Sequence, residues 1–177
     1  MNKKNAGFTL IEVLIVMAII GIVTGFAIPT FLDILPNWRA KAAATDLFSN
    51  LQLAKMAAIR GGGDCVVTFS GNPDGGIPCQ YQISLVNKTV SLDDYGSKIV
   101  FRGPVAGAIF PRFDGDTGSA TWTLTFNSRG MVSGTAINVN FSSMKFADTD
   151  PKRTYYRAGA TTAGVIHMQR YEGSTWR

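Results

Sequence analysis

The first 28 residues constrain this chain more than any other feature. The opening MNKKNAG holds two lysines and no acid, and residues 8–28 are apolar except for Glu12 and two threonines. Those twenty-one residues, at about 1.5 Å each, reach roughly 31 Å as one helix, enough to cross a hydrocarbon core. Lys3 and Lys4 stay on the cytoplasmic side by the positive-inside rule, which puts the bulk of the chain outside the cytoplasm. Three readings compete: a permanent single-span anchor, a secretory signal removed near Ala27, and a short leader cut ahead of a retained apolar run. Glu12 separates them. An ionised carboxylate inside an apolar helix costs on the order of 3 kcal/mol, and neither a plain anchor nor an ordinary signal core has a use for it. Such a residue needs a partner.

Beyond the apolar run, length and composition bound the rest. A chain of 177 residues with 46% apolar content can bury one ordinary core and is too short for two well-separated domains. Its charged fraction is low and Gly is abundant, which favours a turn-rich, strand-rich body over a helical bundle. From Arg39 onward fifteen Lys and Arg face ten acids. That excess gives a mild attraction to anionic lipid, polysaccharide or nucleic acid, far below the dense basic blocks of dedicated nucleic-acid binders.

Gly21, Gly25 and Pro29 are weak helix positions within the span. After Pro36, the segment WRAKAAATDLFSNLQLAKMAAIRGGG places Ala40, Ala44, Leu47, Phe48, Leu51, Ala54 and Ala58 at helical spacing, predicting an amphipathic helix over 37–60 with one apolar face. Asn37 is a plausible N-cap and Gly61 to Gly63 a stop. The predicted unit is a long helix kinked near Pro29 and Pro36, its last third packed on a β-rich region, 64–177. Strand-like runs there are 65–69, 81–86, 99–101, 108–113, 121–126, 135–141 and 165–170. The segment TWTLTFNSRGMVSGTAINVNF alternates with period two around NSRG, which predicts an antiparallel hairpin.

The residues from Gly7 to Glu12, GFTLIE, followed by VLIVMAIIGI, resemble the signature of type IV prepilins and type II secretion pseudopilins. A strand ending in Phe126 followed by NSRGMVSG, together with helix residues 44–60, is similar to the H-type minor pseudopilins and FimT-like pilins. The resemblance implies an α+β pilin-like fold, a long hydrophobic N-terminal helix packed on an antiparallel β-sheet domain of one or two sheets. It implies that a prepilin peptidase removes leader 1–7 by cutting between Gly7 and Phe8 and methylates the new amine of Phe8. Residues 8–36 would then remain as the transmembrane and filament-core helix, and 37–177 as the globular pilin domain on the periplasmic side. Glu12 would pair with the N-terminal amine of a neighbouring subunit and set register, and the stretch from Gly21 through Gly25 to Pro29 would loosen in the filament. The implied partners are other pilin or pseudopilin subunits, the peptidase and an inner-membrane assembly platform. The implied role is structural, without catalysis.

The remaining features are local. Cys65 and Cys79 are the only cysteines; an exported location favours a disulfide between them, with two buried thiols as the alternative. His167 lies in an apparent strand with no matched nucleophile and acid, and is expected to be structural. Asp114 and Asp116, in DGDTG, alternate as Ca²⁺ ligands do but lack the later Glu of an EF-hand, so a surface turn competes with a calcium site; no other cofactor is expected. Lys152, Arg153, Arg157, Arg170 and Arg177, interleaved with Tyr155, Tyr156, Tyr171 and Trp176, could hold DNA or another anion. FimT-like pilins are implicated in DNA uptake through a basic C-terminal segment, so the alternative function is a tip subunit that captures DNA or a secreted substrate. Here MQRYEGSTWR departs from that segment's pattern and carries Glu172.

Overall fold

The computed structural model describes residues 8–72, 77–96, 98–104, 120–134, 136–146, 150–173 and 175–177. The long α-helix, α1, runs Leu10–Gly61. The chain divides into two units, the first ending at Leu35 and the second running from Pro36 to Arg177.

In the first unit, residues 8–32 are all exposed, large apolar side chains included. A helix apolar all round is stable only inside lipid or a protein core. Its polar groups close on the helix itself: the Thr24 hydroxyl donates to the Ile20 carbonyl at 2.8 Å, and that of Thr30 to Phe26 at 3.1 Å. Helical structure continues through Pro29 and Pro36. The expected helix start at Asn37 is therefore corrected, because each proline removes one ladder bond while the turns on either side keep theirs.

In the second unit, Pro36, Ala40, Ala43, Ala44, Leu47, Asn50, Leu51, Ala54 and Ala58 form the buried face of α1. The predicted face is found, with Phe48 half-buried at its margin. Each fully buried leucine contributes about 1.5–3 kcal/mol, and the alanines let the helix lie close. Gly62, at φ 64°, supplies the left-handed residue that ends α1. Asn37 acts as a clamp within the helix: its amide donates to the Lys152 carbonyl at 2.6 Å and accepts the Thr154 N–H at 3.1 Å.

Among the described residues nine strands follow: β1 Cys65–Asn72, β2 Ile77–Ile83, β3 Lys88–Ser91, β4 Ile99–Phe101, β5 Ala120–Phe126, β6 Val132–Ser133, β7 Ile137–Ser143, β8 Tyr156–Ala160 and β9 Ile166–Arg170. They form two antiparallel sheets, in order β3-β2-β1-β5-β6 and β4-β7-β8-β9. The pilin-like α+β architecture is the two-sheet form. The sheets meet through Phe69 of β1, edge-on to Phe101 of β4 at 5.9 Å, and Phe101 in turn meets Phe141 of β7 at 5.5 Å.

The predicted hairpin is real only at its turn. The Asn127 side chain accepts the N–H groups of Arg129 and Met131, Gly130 takes φ 74°, and β5 pairs with β6 over Thr125↔Ser133 and Phe126↔Val132. The chain then crosses, and the INVNF half of the segment enters the other sheet as β7 between β4 and β8. The candidate strand 108–113 lies outside the described residues.

No disulfide joins Cys65 and Cys79; both are buried as separate thiols. Register gives the reason. Cys79 lies against Gly71, where an added Cβ would meet the Cys79 backbone, six residues along β1 from Cys65. Six strand residues span about 20 Å, whereas a disulfide needs Cα atoms within about 7 Å. This corrects the expected bridge.

Candidate functional site

The site sequence analysis singles out most strongly is the beginning of the apolar helix. Phe8 is 83% exposed, and α1 begins two residues later, so the Gly7–Phe8 bond lies ahead of the helix; Gly7 itself is outside the described residues. The Thr9 hydroxyl oxygen accepts the N–H of Glu12 at 3.3 Å, and the Thr9 carbonyl accepts that of Val13 at 3.3 Å. Thr9 is thus the helix cap and Glu12 the third helical residue, the spacing of a capping box. Sequence reasoning overlooked Thr9, although T-x-x-E ahead of an apolar run is the signal for it. The cap holds the Glu12 carboxylate at the positive end of the helix dipole, one turn from Phe8. Glu12 is exposed.

Gly21 and Gly25 are helical with nothing within 4 Å of where a Cβ would stand. Each costs about 1 kcal/mol relative to Ala in a helix interior, and among the described residues no neighbour requires the missing side chain.

The basic carboxyl-terminal set does not form one strip. Lys152 is exposed, its N–H held by Asp150 at 2.8 Å. Arg153, expected to face an anion, is only 7% exposed; its guanidinium donates to the Phe146 carbonyl at 3.1 Å and Ser142 Oγ at 2.8 Å and lies 5.2 Å from the Tyr155 ring centre. It is a tie between β7 and the chain leading to β8, which corrects its place among the surface cations. Arg157 is half-buried, donates twice to Gln169 Oε1 at 2.8 and 2.5 Å and stacks over Trp176 at 4.4 Å; burial lowers its pKa. Arg170 is exposed, its N–H and carbonyl paired with the backbone of Arg177, whose guanidinium lies 3.3 Å from Glu172. The tail is pinned to the edge of its sheet.

His167 Nε2 lies 2.6 Å from Asn138 Oδ1 on the outer face of the second sheet. Burial first, and then the Arg157 charge, lowers its pKa. Among the described residues, no three His, Cys, Asp or Glu side chains gather as a metal site. Asp114 and Asp116 are outside the described residues.

The family profile described as Type II transport protein GspH matches residues 43–170, most of the chain. The chain belongs to this family. A second profile, the prokaryotic N-terminal methylation motif, matches residues 2–28, the stretch that holds Gly7, Phe8, Thr9 and Glu12. The chain is also similar to the type IV major pilin protein PilA of Myxococcus xanthus (strain DK1622), 48% identical over 46 residues, which is 26% of this chain. The match spans only 21% of that relative's own length. No solved structure gives a match. The chain is thus a GspH-family protein with a methylation-type N-terminus, one apolar helix and a two-sheet domain.

Proposed function

We propose that this GspH-family chain is a minor filament subunit of a type II secretion pseudopilus or type IV pilus. It is made as a membrane-anchored prepilin, cut between Gly7 and Phe8 by a prepilin peptidase, methylated on Phe8 and drawn by an inner-membrane platform into the filament with its globular domain on the periplasmic side. The observation that carries this reading is the exposed apolar helix whose single early carboxylate, Glu12, stands one turn beyond Phe8.

Cleavage turns the Phe8 nitrogen into an ammonium. A helix entering a filament core surrounded by apolar neighbours cannot leave Glu12 unpaired, because an isolated buried charge costs several kcal/mol. Its nearest complement on an identical or related subunit is that ammonium, so the pair selects one axial register. Gly21, Gly25 and Pro29 supply the weak ladder that lets the helix loosen as it repacks.

Mass spectrometry of sheared filaments tests the reading: the subunit should begin at N-methylated Phe8 and be scarce beside the main subunit. Glu12→Ala should leave processing intact and reduce incorporation, and Gly7→Glu should block cleavage. An uncut chain that still assembled normally would overturn the proposal.

A further inference from the structure

Glu12 and Asp33 bracket twenty residues without a charge, 13–32. At about 1.5 Å each these span about 30 Å, the thickness of a hydrocarbon core. With Glu12 at the edge nearest the basic N-terminus, Asp33 reaches the opposite edge, and neither carboxylate has to sit in the middle of the bilayer. This register says what the first turns of the globular unit must meet. Trp38 is five residues on from Asp33, and five steps along the chain cannot exceed roughly 18 Å even when fully extended, or about 8 Å as helix. The chain itself keeps Trp38 near the headgroup layer.

The surface there has the matching chemistry. Trp38 is 63% exposed, while Ala40, Ala43 and Ala44 take the buried face of the same helix. Lys41, three residues on and also exposed, shares the Trp38 side of α1. Both line one shallow groove with Ala42, Thr45, Asp46, Ser49 and Tyr95. The groove's acid, Asp46, is half-buried and turned to the Tyr95 hydroxyl, which it accepts at 2.5 Å, while Lys41 is the exposed charge. The Asn37 clamp holds exposed Lys152 beside the same turn. An indole with a neighbouring ammonium is the side-chain pair that bilayer interfaces favour: the ring sits among the lipid carbonyls and the cation on the phosphates.

We propose that Trp38 and Lys41, with Lys152 beside them, form a collar that docks on the lipid headgroups of the leaflet opposite the basic N-terminus, holding the unassembled subunit at a fixed depth. The proposal rests on residues 13–32 being the bilayer span, and its test separates the two. The full chain is reconstituted into vesicles of phosphatidylethanolamine and phosphatidylglycerol. Flotation with the vesicles reports the span, and the emission of wild type minus that of Trp38→Phe isolates Trp38 from Trp122 and Trp176. The expected result is flotation, with the Trp38 emission lost to lipids brominated high on the acyl chain and protected from aqueous iodide. Lys41→Glu should weaken that loss when phosphatidylglycerol is present. Flotation with Trp38 quenched by iodide and untouched by brominated lipid would overturn the collar, leave the span standing and assign the surface to a protein partner. Failure to float would overturn both.

Discussion

The side-chain amide of Asn50 donates to the hydroxyl of Tyr81 at 2.7 Å, and its carbonyl accepts Lys88 Nζ at 2.9 Å. Asn50 is the one polar residue on the buried face of α1, so this contact fixes which turn of the helix lies over β2 and β3. Burial of Tyr81 raises its pKa, as expected of a hydroxyl taken out of water. Asn50→Ala leaves that hydroxyl without its donor and should cost about 1–3 kcal/mol, whereas Tyr81→Phe leaves the Asn50–Lys88 bond and should cost about 0.5–1.5 kcal/mol. Thermal or urea unfolding of both variants checks the order; a Tyr81→Phe loss as large as that of Asn50→Ala would contradict it.

The separated cysteines make the protein's stability insensitive to reductant. A bridge closing a loop of roughly 15 residues would be worth about 3 kcal/mol, so a cross-linked domain would melt earlier once reduced. Here melting should be unchanged by dithiothreitol. Both thiols, buried at Cys65 and Cys79, should react with a thiol reagent only after unfolding. A reductant-dependent fall in melting temperature would restore the disulfide.

Gly21 and Gly25 have open space around them, so Ala fits sterically at both. Gly21→Ala and Gly25→Ala should each stabilise the isolated helix by about 1 kcal/mol, read as slower amide exchange in micelles. If the filament uses their looseness, the same variants should lower filament yield without affecting cleavage. Unchanged assembly of the double variant would place the loosening elsewhere.

The contrast between β4 and β8 shows what was legible in the sequence. β4 is I-V-F, β-branched and aromatic, and its bounds were readable as 99–101. β8 is Y-R-A-G-A, poor in β-forming residues. Its reason lies across the sheet, where the Gly159 position is filled by Asn138 and the backbone of Ile137. The helix face was readable because its period is internal to the segment. The path of β7 was not, because a period-two pattern fixes which side chains share a face and not which sheet receives the strand. The cysteine pairing failed for a related reason: count and compartment favour a bridge, while strand register decides whether the sulfurs meet. At the candidate site the motif named Gly7, Phe8 and Glu12, and the cap added Thr9. Arg153 misled because its charge suggests a surface, whereas its hydrogen bonds to Phe146 and Ser142 tie it inside.

His167 should make stability fall on acidification. Burial and the neighbouring Arg157 hold its pKa below the usual imidazole value, so near pH 6 the unfolded chain binds more protons at this position than the folded one. Stability then rises with pH across that window. The contribution is fully present above the unfolded value of about 6.5 and is lost as pH falls through the lower folded value. His167→Gln removes the titration and can keep a hydrogen bond to Asn138. Melting temperatures of wild type and variant should therefore converge or cross toward acid pH, with the wild type showing the steeper loss between about pH 7 and 5. Parallel curves for the two proteins would show that His167 binds protons alike in the folded and unfolded chains and that carboxylates elsewhere account for the acid sensitivity.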